Sequence, residues 1–237
     1  MQALVRAGVD VVRLNLSHGE PADHRHRLEL VRAAAWATGK DVGVLADLQG
    51  PKIRIEKFRG GSVMLKDGDS FVLDAELADN AGTAEAVGLT YKALPQDVKA
   101  GDLLMLGDGE ISLRVQKVVG ARILCRVENG GELSDHKGVN RQGGGLSAKA
   151  LTDKDLHDIK LAAELGVDYL AVSFPRDAGD IERARKLLQA AGGKAGIIAK
   201  IERTEAIENL DAIIQASDVV MIARGDLAVE KIGRAHV

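Results

Sequence analysis

Residues 196–206 read GIIAKIERTEA. The first part has the composition of a buried strand, yet it runs into Lys200 and Glu202, two charges two positions apart. Side chains alternate along a strand, so positions i and i+2 share a face. This strand therefore ends with a cation and a carboxylate side by side. Either they form an ion pair at the rim of a core, or they mark a place where a metal and a phosphate meet. The two readings differ in what the other strands should do at their ends.

Other strands end in the same way. The run VVRLNL (11–16) delivers Arg13 and Asn15, with Ser17 just beyond, on one face. The run VGVLADL (42–48) brings Asp47 to its end, and VVMIAR (219–224) leads into Gly225 and Asp226. In a parallel β/α barrel, catalytic groups come from the C-terminal ends of several strands. Isolated surface ion pairs give no reason for four strands to share that habit.

The surrounding rhythm supports such a barrel. A helix over 21–38 closed by Gly39 separates the first two strands, and MQALVRAGVD reads as the last turns of an earlier helix stopped at Gly8. From residue 146 the pattern resumes. Thr152 and Asp155 form a capping box for a helix ended by Gly166. Strand 169–174, a helix over 179–191 and strand 196–201 follow. Thr204 then caps a helix whose Ile207, Leu210, Ile213 and Ile214 make one apolar stripe. Near-continuous apolar strands alternating with amphipathic helices predict a parallel sheet buried on both faces.

Residues 51–145 have another texture. Short alternating runs (IRIEKF, SVMLK, SFVLDA, ISLRVQKV, RILCRVEN) are separated by Gly, Asp and Asn turns, which predicts a small all-β barrel or sandwich. The expected organisation is therefore α/β: barrel residues 1–50, an inserted β-module 51–145, barrel residues 146–230, and a terminal segment 231–237 considered below.

Composition narrows the function classes. The 237 residues are 46% hydrophobic and 28% charged, as in a globular protein. No stretch approaches the ~20 apolar residues of a membrane span. A net charge of −3 gives no general affinity for nucleic acid or membrane surfaces. The single cysteine, Cys125, excludes an internal disulfide framework and fits a reducing compartment.

The polar residues sort by chemistry. Glu202 and Asp226 are hard oxygen donors, suited to a Mg²⁺ whose octahedron substrate and water complete. Arg13 carries a guanidinium fork that matches a phosphate. Lys200 is a compact cation able to neutralise charge on a transferring phosphoryl group. Gly225 lets backbone approach a small substrate. Together they describe a Mg²⁺-dependent site for a phosphorylated small anion.

RLNLSHG, ADLQGPKIR, HKGVN, AKIERTEAI and VVMIARGDLAVE, in this order, resemble the pyruvate kinase family, in its bacterial form. The likeness runs from residue 1 to about 230. It implies a partial (β/α)₈ TIM barrel, interrupted by an all-β barrel that acts as a hinged lid. It also implies phosphoryl transfer from phosphoenolpyruvate to ADP, giving pyruvate and ATP. By motif match, Glu202 and Asp226 would hold Mg²⁺ or Mn²⁺, Lys200 would stabilise the enolate beside the transferred group, and Gly225 with Asp226 would border the substrate. Arg13 would contact phosphate, and Arg54 and Lys137 would reach the nucleotide. Asn15, Ser17, Asp47 and the Leu48 backbone would build a K⁺ site. Many relatives carry GPEIR where this chain has GPKIR, so Lys52 could supply the positive charge that K⁺ otherwise brings. The resemblance further implies a cytoplasmic homo-oligomer, a tetramer. Two alternatives are a non-catalytic metabolite-binding barrel and a Mg²⁺-dependent phosphoenolpyruvate or pyruvate lyase. Lys200 argues against the first, and the inserted module with HKGVN against the second.

Other residues carry blander expectations. His18 sits in a turn, His24 and His26 belong to a solvated helix face with Arg25 and Arg27, and Trp36 packs at that helix's end. Against the family pattern, GDLAVE replaces GDLGVE. The resemblance implies that strands one, seven and eight and a C-terminal domain are not part of this sequence, so this length by itself is expected to be inactive. The likeness stops at KIGRAHV (231–237), whose back-translation reads like a common sequencing adapter, so that segment is expected to be non-native.

Overall fold

The computed structural model of the chain describes residues 1–232. Two compact units divide it. The first comprises Met1–Pro51, Lys149–Ile201 and Ala206–Ile222; the second comprises Lys52–Ala148, Glu202–Glu205 and the residues from Ala223.

The first unit begins with α1 (Gln2–Arg6), β1 (Val11–Asn15), α2 (Pro21–Thr38) and β2 (Gly43–Asp47). Gly39 ends α2 in the left-handed conformation (φ 64°), where a glycine meets no Cβ penalty. The second unit supplies β3 (Ser62–Leu65), β4 (Ser70–Asp74), β5 (Ala86–Gly88), α3 (Leu94–Asp97), β6 (Leu103–Leu106), β7 (Ile111–Val119), β8 (Arg122–Asn129), β9 (Gly131–Ser134) and β10 (Val139–Arg141). The chain then continues through α4 (Asp153–Leu165), β11 (Tyr169–Val172), α5 (Ala178–Ala190), β12 (Gly196–Ile201), α6 (Thr204–Glu208), α7 (Leu210–Ala216), β13 (Val219–Ile222) and α8 (Arg224–Ile232).

In the first unit five strands form one sheet in the order β1-β2-β11-β12-β13. Every pairing is parallel, so all five C-terminal ends lie along one edge. Helices between strands satisfy the crossover that parallel pairing requires. The capping box at α4 is present: Thr152 and Asp155 exchange backbone and side-chain bonds, and Gly166 closes the helix at φ 61°. Period-2 alternation places Leu45, Ala171 and Ile198 together on one sheet face, with Tyr169 and Met221 against them.

In the second unit a six-stranded sheet runs β10-β6-β7-β8-β4-β5, beside a two-stranded pair β3-β9. Its pairings are antiparallel except β4 with β5. Phe58, Phe71, Leu104, Leu113 and Leu133 anchor its core. Cys125 packs there, as its strand alternation implies.

Several sequence expectations are corrected. IRIEKF is not a continuous strand; Arg54, Ile55 and Phe58 each make only an isolated bridge. The helix expected from a Thr204 cap is two helices, with Thr204 inside the first and Asn209 between them. That break resets the helical phase, so Ile213 is buried while Ile207 and Ile214 are exposed. The last strand stops at Ile222, and Arg224 opens a helix instead. His24 is buried, not solvated, because it shares the 4-3-3 spacing of Leu28, Val31 and Ala34 along α2. Trp36 falls off that line and is 89% exposed. Of the segment read as non-native, Gly233–Val237 lie outside the described residues, whereas Lys231 belongs to α8.

Candidate active site

The sheet face that carries Leu45, Ala171 and Ile198 becomes polar at its C-terminal edge. Two residues further along the same strands, alternation brings Asp47, Ser173 and Lys200 to that face. Strand register puts Asn15 level with Asp47, and Ala171 also level with Asp47. The cluster is thus a product of parallel pairing.

Asp47 is its centre. Its carboxylate is almost wholly buried and accepts from Arg13 Nε at 2.6 Å, with Arg13 Nη2 at 2.5 Å. Lys200 Nζ lies 3.3 Å from its other oxygen, and Ser173 donates to that oxygen at 3.4 Å. Lys200 also donates to Ser173 Oγ at 2.8 Å, while Ser173 reaches the Leu48 carbonyl at 2.8 Å.

Ser173 was missed in the sequence, although the scan of strand ends that found Asp47 and Lys200 points to it as well. Asp155 was read only as a cap. It is fully buried, and besides accepting from Thr152 it accepts from the Gly50 N–H at 3.1 Å. Gly50 stands at φ 65°, and a Cβ there would lie 2.9 Å from that of Ser173. Only glycine permits the chain to pass so close, and Asp155 holds it in place.

The remaining expected groups are distributed as follows. Asn15 Oδ1 accepts the Ser17 N–H at 3.0 Å, a local turn that brings these two together. Lys154 donates to the Leu16 carbonyl between them at 2.7 Å. In the second unit, Arg54 bridges to Gly138 while Ile55 N–H donates to the Lys137 carbonyl at 3.0 Å, so Arg54 and Lys137 lie on paired backbone segments. Lys52 precedes them, its carbonyl accepting from Thr90. His18 remains in an exposed turn.

Glu202 is buried immediately past β12, and Asp226 is exposed in the first turn of α8, one residue after Gly225. Nothing crowds Gly225 within 4 Å of where a Cβ would stand. Among the described residues no three or more His, Cys, Asp or Glu side chains gather into a set that could hold an ion alone. Two carboxylates therefore fit a hard divalent ion only where outside oxygens, from substrate and water, complete the shell.

The turn after β12 is held from several sides. Arg203 is buried and donates to the carbonyls of Leu146 at 2.6 Å and Ala148 at 3.2 Å. Glu205 accepts the Gly145 N–H at 2.6 Å. Glu230, on α8, accepts the Thr204 N–H at 2.9 Å. Burial pushes the Glu230 carboxyl up to about 7; the Thr204 N–H and Arg203 oppose the rise, and Glu205 and Asp226 add to it.

A sequence model described as pyruvate kinase, barrel domain, matches residues 1–237. The chain belongs to the pyruvate kinase barrel-domain family. It is 54% identical over 233 residues to the pyruvate kinase of Haemophilus influenzae, covering 97% of this chain and 49% of that protein. It is 52% identical to pyruvate kinase II of Salmonella typhimurium, at 97% and 48% coverage. Against the pyruvate kinase of Mycobacterium tuberculosis it is 45% identical, at 97% and 48%. The chain spans about half the length of these curated relatives. Its parallel β/α series accordingly corresponds to part of the family's barrel.

Proposed function

We propose that the full-length protein is a pyruvate kinase, transferring the phosphoryl group of phosphoenolpyruvate to ADP and releasing pyruvate and ATP. The observation that carries this reading is Lys200, held at the C-terminal edge of a parallel sheet by Asp47 and Ser173 in a chain of this family. The bond from phosphorus to the enol oxygen breaks as one forms to an oxygen of the ADP β-phosphate. Lys200 stabilises negative charge on the enol oxygen as it leaves, and Arg13 holds the phosphate. The enolate then takes up a proton at its methylene carbon.

Glu202 and Asp226 are the residues that would hold a Mg²⁺ or Mn²⁺, which when bound supplies charge neutralisation at the substrate's carboxylate and phosphoryl oxygens. Asn15, Ser17, Asp47 and the Leu48 carbonyl would take K⁺, with Lys52 a covalent substitute for its charge. Arg54 and Lys137 would meet ADP, Gly225 and Asp226 the substrate, and the β-module 51–145 would act as a lid. No described helix is long and apolar enough to cross a membrane. A cytoplasmic homotetramer is the assembly in which this activity would operate. The parallel sheet leaves β1 and β13 as edges, with Val11, Val219 and Ile222 exposed, so turnover is assigned to the longer protein and not to residues 1–237 alone.

The test is an assay of the full-length product for pyruvate from phosphoenolpyruvate, ADP and Mg²⁺. Pyruvate formed at roughly 1–100 s⁻¹ supports the reading. Phosphoenolpyruvate binding without turnover refutes it and leaves a metabolite-binding barrel.

A further inference from the structure

Glu230 is 4% exposed, yet neither a metal site nor a substrate contact has been assigned to it. Two of its groups are engaged. The side-chain carboxylate accepts the Thr204 N–H at 2.9 Å, and the backbone carbonyl accepts the Gly143 N–H at 2.9 Å. Thr204 stands two residues after Glu202. Asp226 stands four residues before Glu230 on α8, one helical turn away on the same face. Glu230 is therefore tied to the segments that carry both carboxylates of the divalent-metal pair.

The same turn is fixed from a third side. Arg203 holds Leu146 and Ala148, and Glu205 holds Gly145, in the segment that Gly143 begins. The Thr204–Glu230 contact joins α8 directly to the turn after β12. We infer that Glu230 is a positioning residue that sets the spacing of Glu202 and Asp226, making the pair a preformed divalent-cation site. This inference rests on the reading of Glu202 and Asp226 as metal donors. Partners that orient metal ligands are worth 10–100-fold in affinity, and an acceptor oxygen at the right reach is what the contact requires.

Reach and charge make opposite predictions. Glu230→Gln keeps the chain length and an amide oxygen that can accept from Thr204 but loses the negative charge. Glu230→Asp keeps the charge but is one methylene short. Mn²⁺ titration of the full-length protein without substrate, read as free Mn²⁺ by electron paramagnetic resonance, separates them. Expected is Mn²⁺ affinity within about 3-fold of the parent for Glu230→Gln and at least about 10-fold weaker for Glu230→Asp. Far-UV circular dichroism confirms that each variant is folded. A Glu230→Gln protein that loses 10-fold while Glu230→Asp retains affinity overturns the inference in favour of simple charge attraction. Should Glu230→Asp fail to fold, a 10-fold loss in Glu230→Gln still overturns it. Glu202→Gln run alongside distinguishes the two levels. If it weakens Mn²⁺ and neither Glu230 variant does, positioning alone is wrong; if it leaves Mn²⁺ binding unchanged, the assignment of the metal donors falls and the inference with it.

Discussion

Replacing Asp47 with asparagine keeps the shape of the side chain and removes one charge from the centre of the cluster. Lys200 lies 3.3 Å from Asp47, with side chains 12% and 4% exposed. At an effective dielectric constant of ~20 that separation corresponds to an attraction of about 5 kcal/mol. Part of this only offsets the cost of burying the two groups, and breaking such a pair by removing one partner costs about 3–5 kcal/mol. Arg13 adds little, because its side chain is 55% exposed and water screens the contact. The expected loss for Asp47→Asn is therefore about 3–5 kcal/mol. Thermal unfolding of the full-length protein followed by circular dichroism would measure it. Glu128→Gln is the control, since the Arg114–Glu128 pair is surface-exposed and worth at most about 1 kcal/mol. The double variant Asp47→Asn/Lys200→Met should lose less than the sum of its parts, because the lysine no longer stands opposite a neutral amide. An Asp47→Asn protein within about 1 kcal/mol of the parent would refute the claim that this carboxylate is the electrostatic anchor of the site.

Three further outcomes follow from other parts of the molecule. Burial pushes the Cys125 thiol up to about 12, so a thiol reagent at pH 8 should label native protein far more slowly than protein in denaturant; equal rates would show the strand to be open. Glu230 has its carboxyl raised from 4.5 to about 7 in the fold, so the folded protein binds more protons than the unfolded one between those values. In metal-free protein its contribution should therefore favour low pH and fall by about 3 kcal/mol as pH rises through 4.5 to 7. Glu230→Gln should flatten that part of the pH–stability curve, and an unchanged curve would count against the shift. If Lys52 supplies the charge of K⁺, Lys52→Glu in the full-length protein should create a requirement for K⁺ in pyruvate formation, measured in potassium-free buffer at constant ionic strength; strong K⁺ activation of the parent would instead leave Asn15, Ser17 and Asp47 as a working K⁺ site.

What could be read from the sequence was whatever local chemistry decides. Thr152 with Asp155, Gly39 and Gly166 announce helix ends because caps are satisfied within a few residues. Asp47 and Lys200 were legible at their strand ends because alternation fixes their face, whereas Glu202 falls past the end of β12 and Asp226 in α8. The failures have a common origin in contacts that sequence spacing does not contain. Asp155 is a cap by motif, but its bond to Gly50 spans 105 positions. Glu230 looks like one more acid on α8 until Thr204 is placed against it. His24 is a different kind of miss, since its spacing from Leu28 was visible and was outweighed by the arginines around it. In α6 and α7 an apolar stripe was drawn through Asn209 as though the helix were unbroken.

In the proposed reaction Lys200 acts on charge that develops during phosphoryl transfer, while Glu202 serves the metal. Lys200→Met in the full-length protein, with pyruvate formation and Mn²⁺ binding measured on the same preparation, tests it most directly. Turnover should fall by a factor of at least about 100, as for loss of a preorganised charge-stabilising group, with Mn²⁺ affinity changed by less than about 3-fold. Near-parental turnover, or loss of Mn²⁺ binding in step with activity, would contradict it.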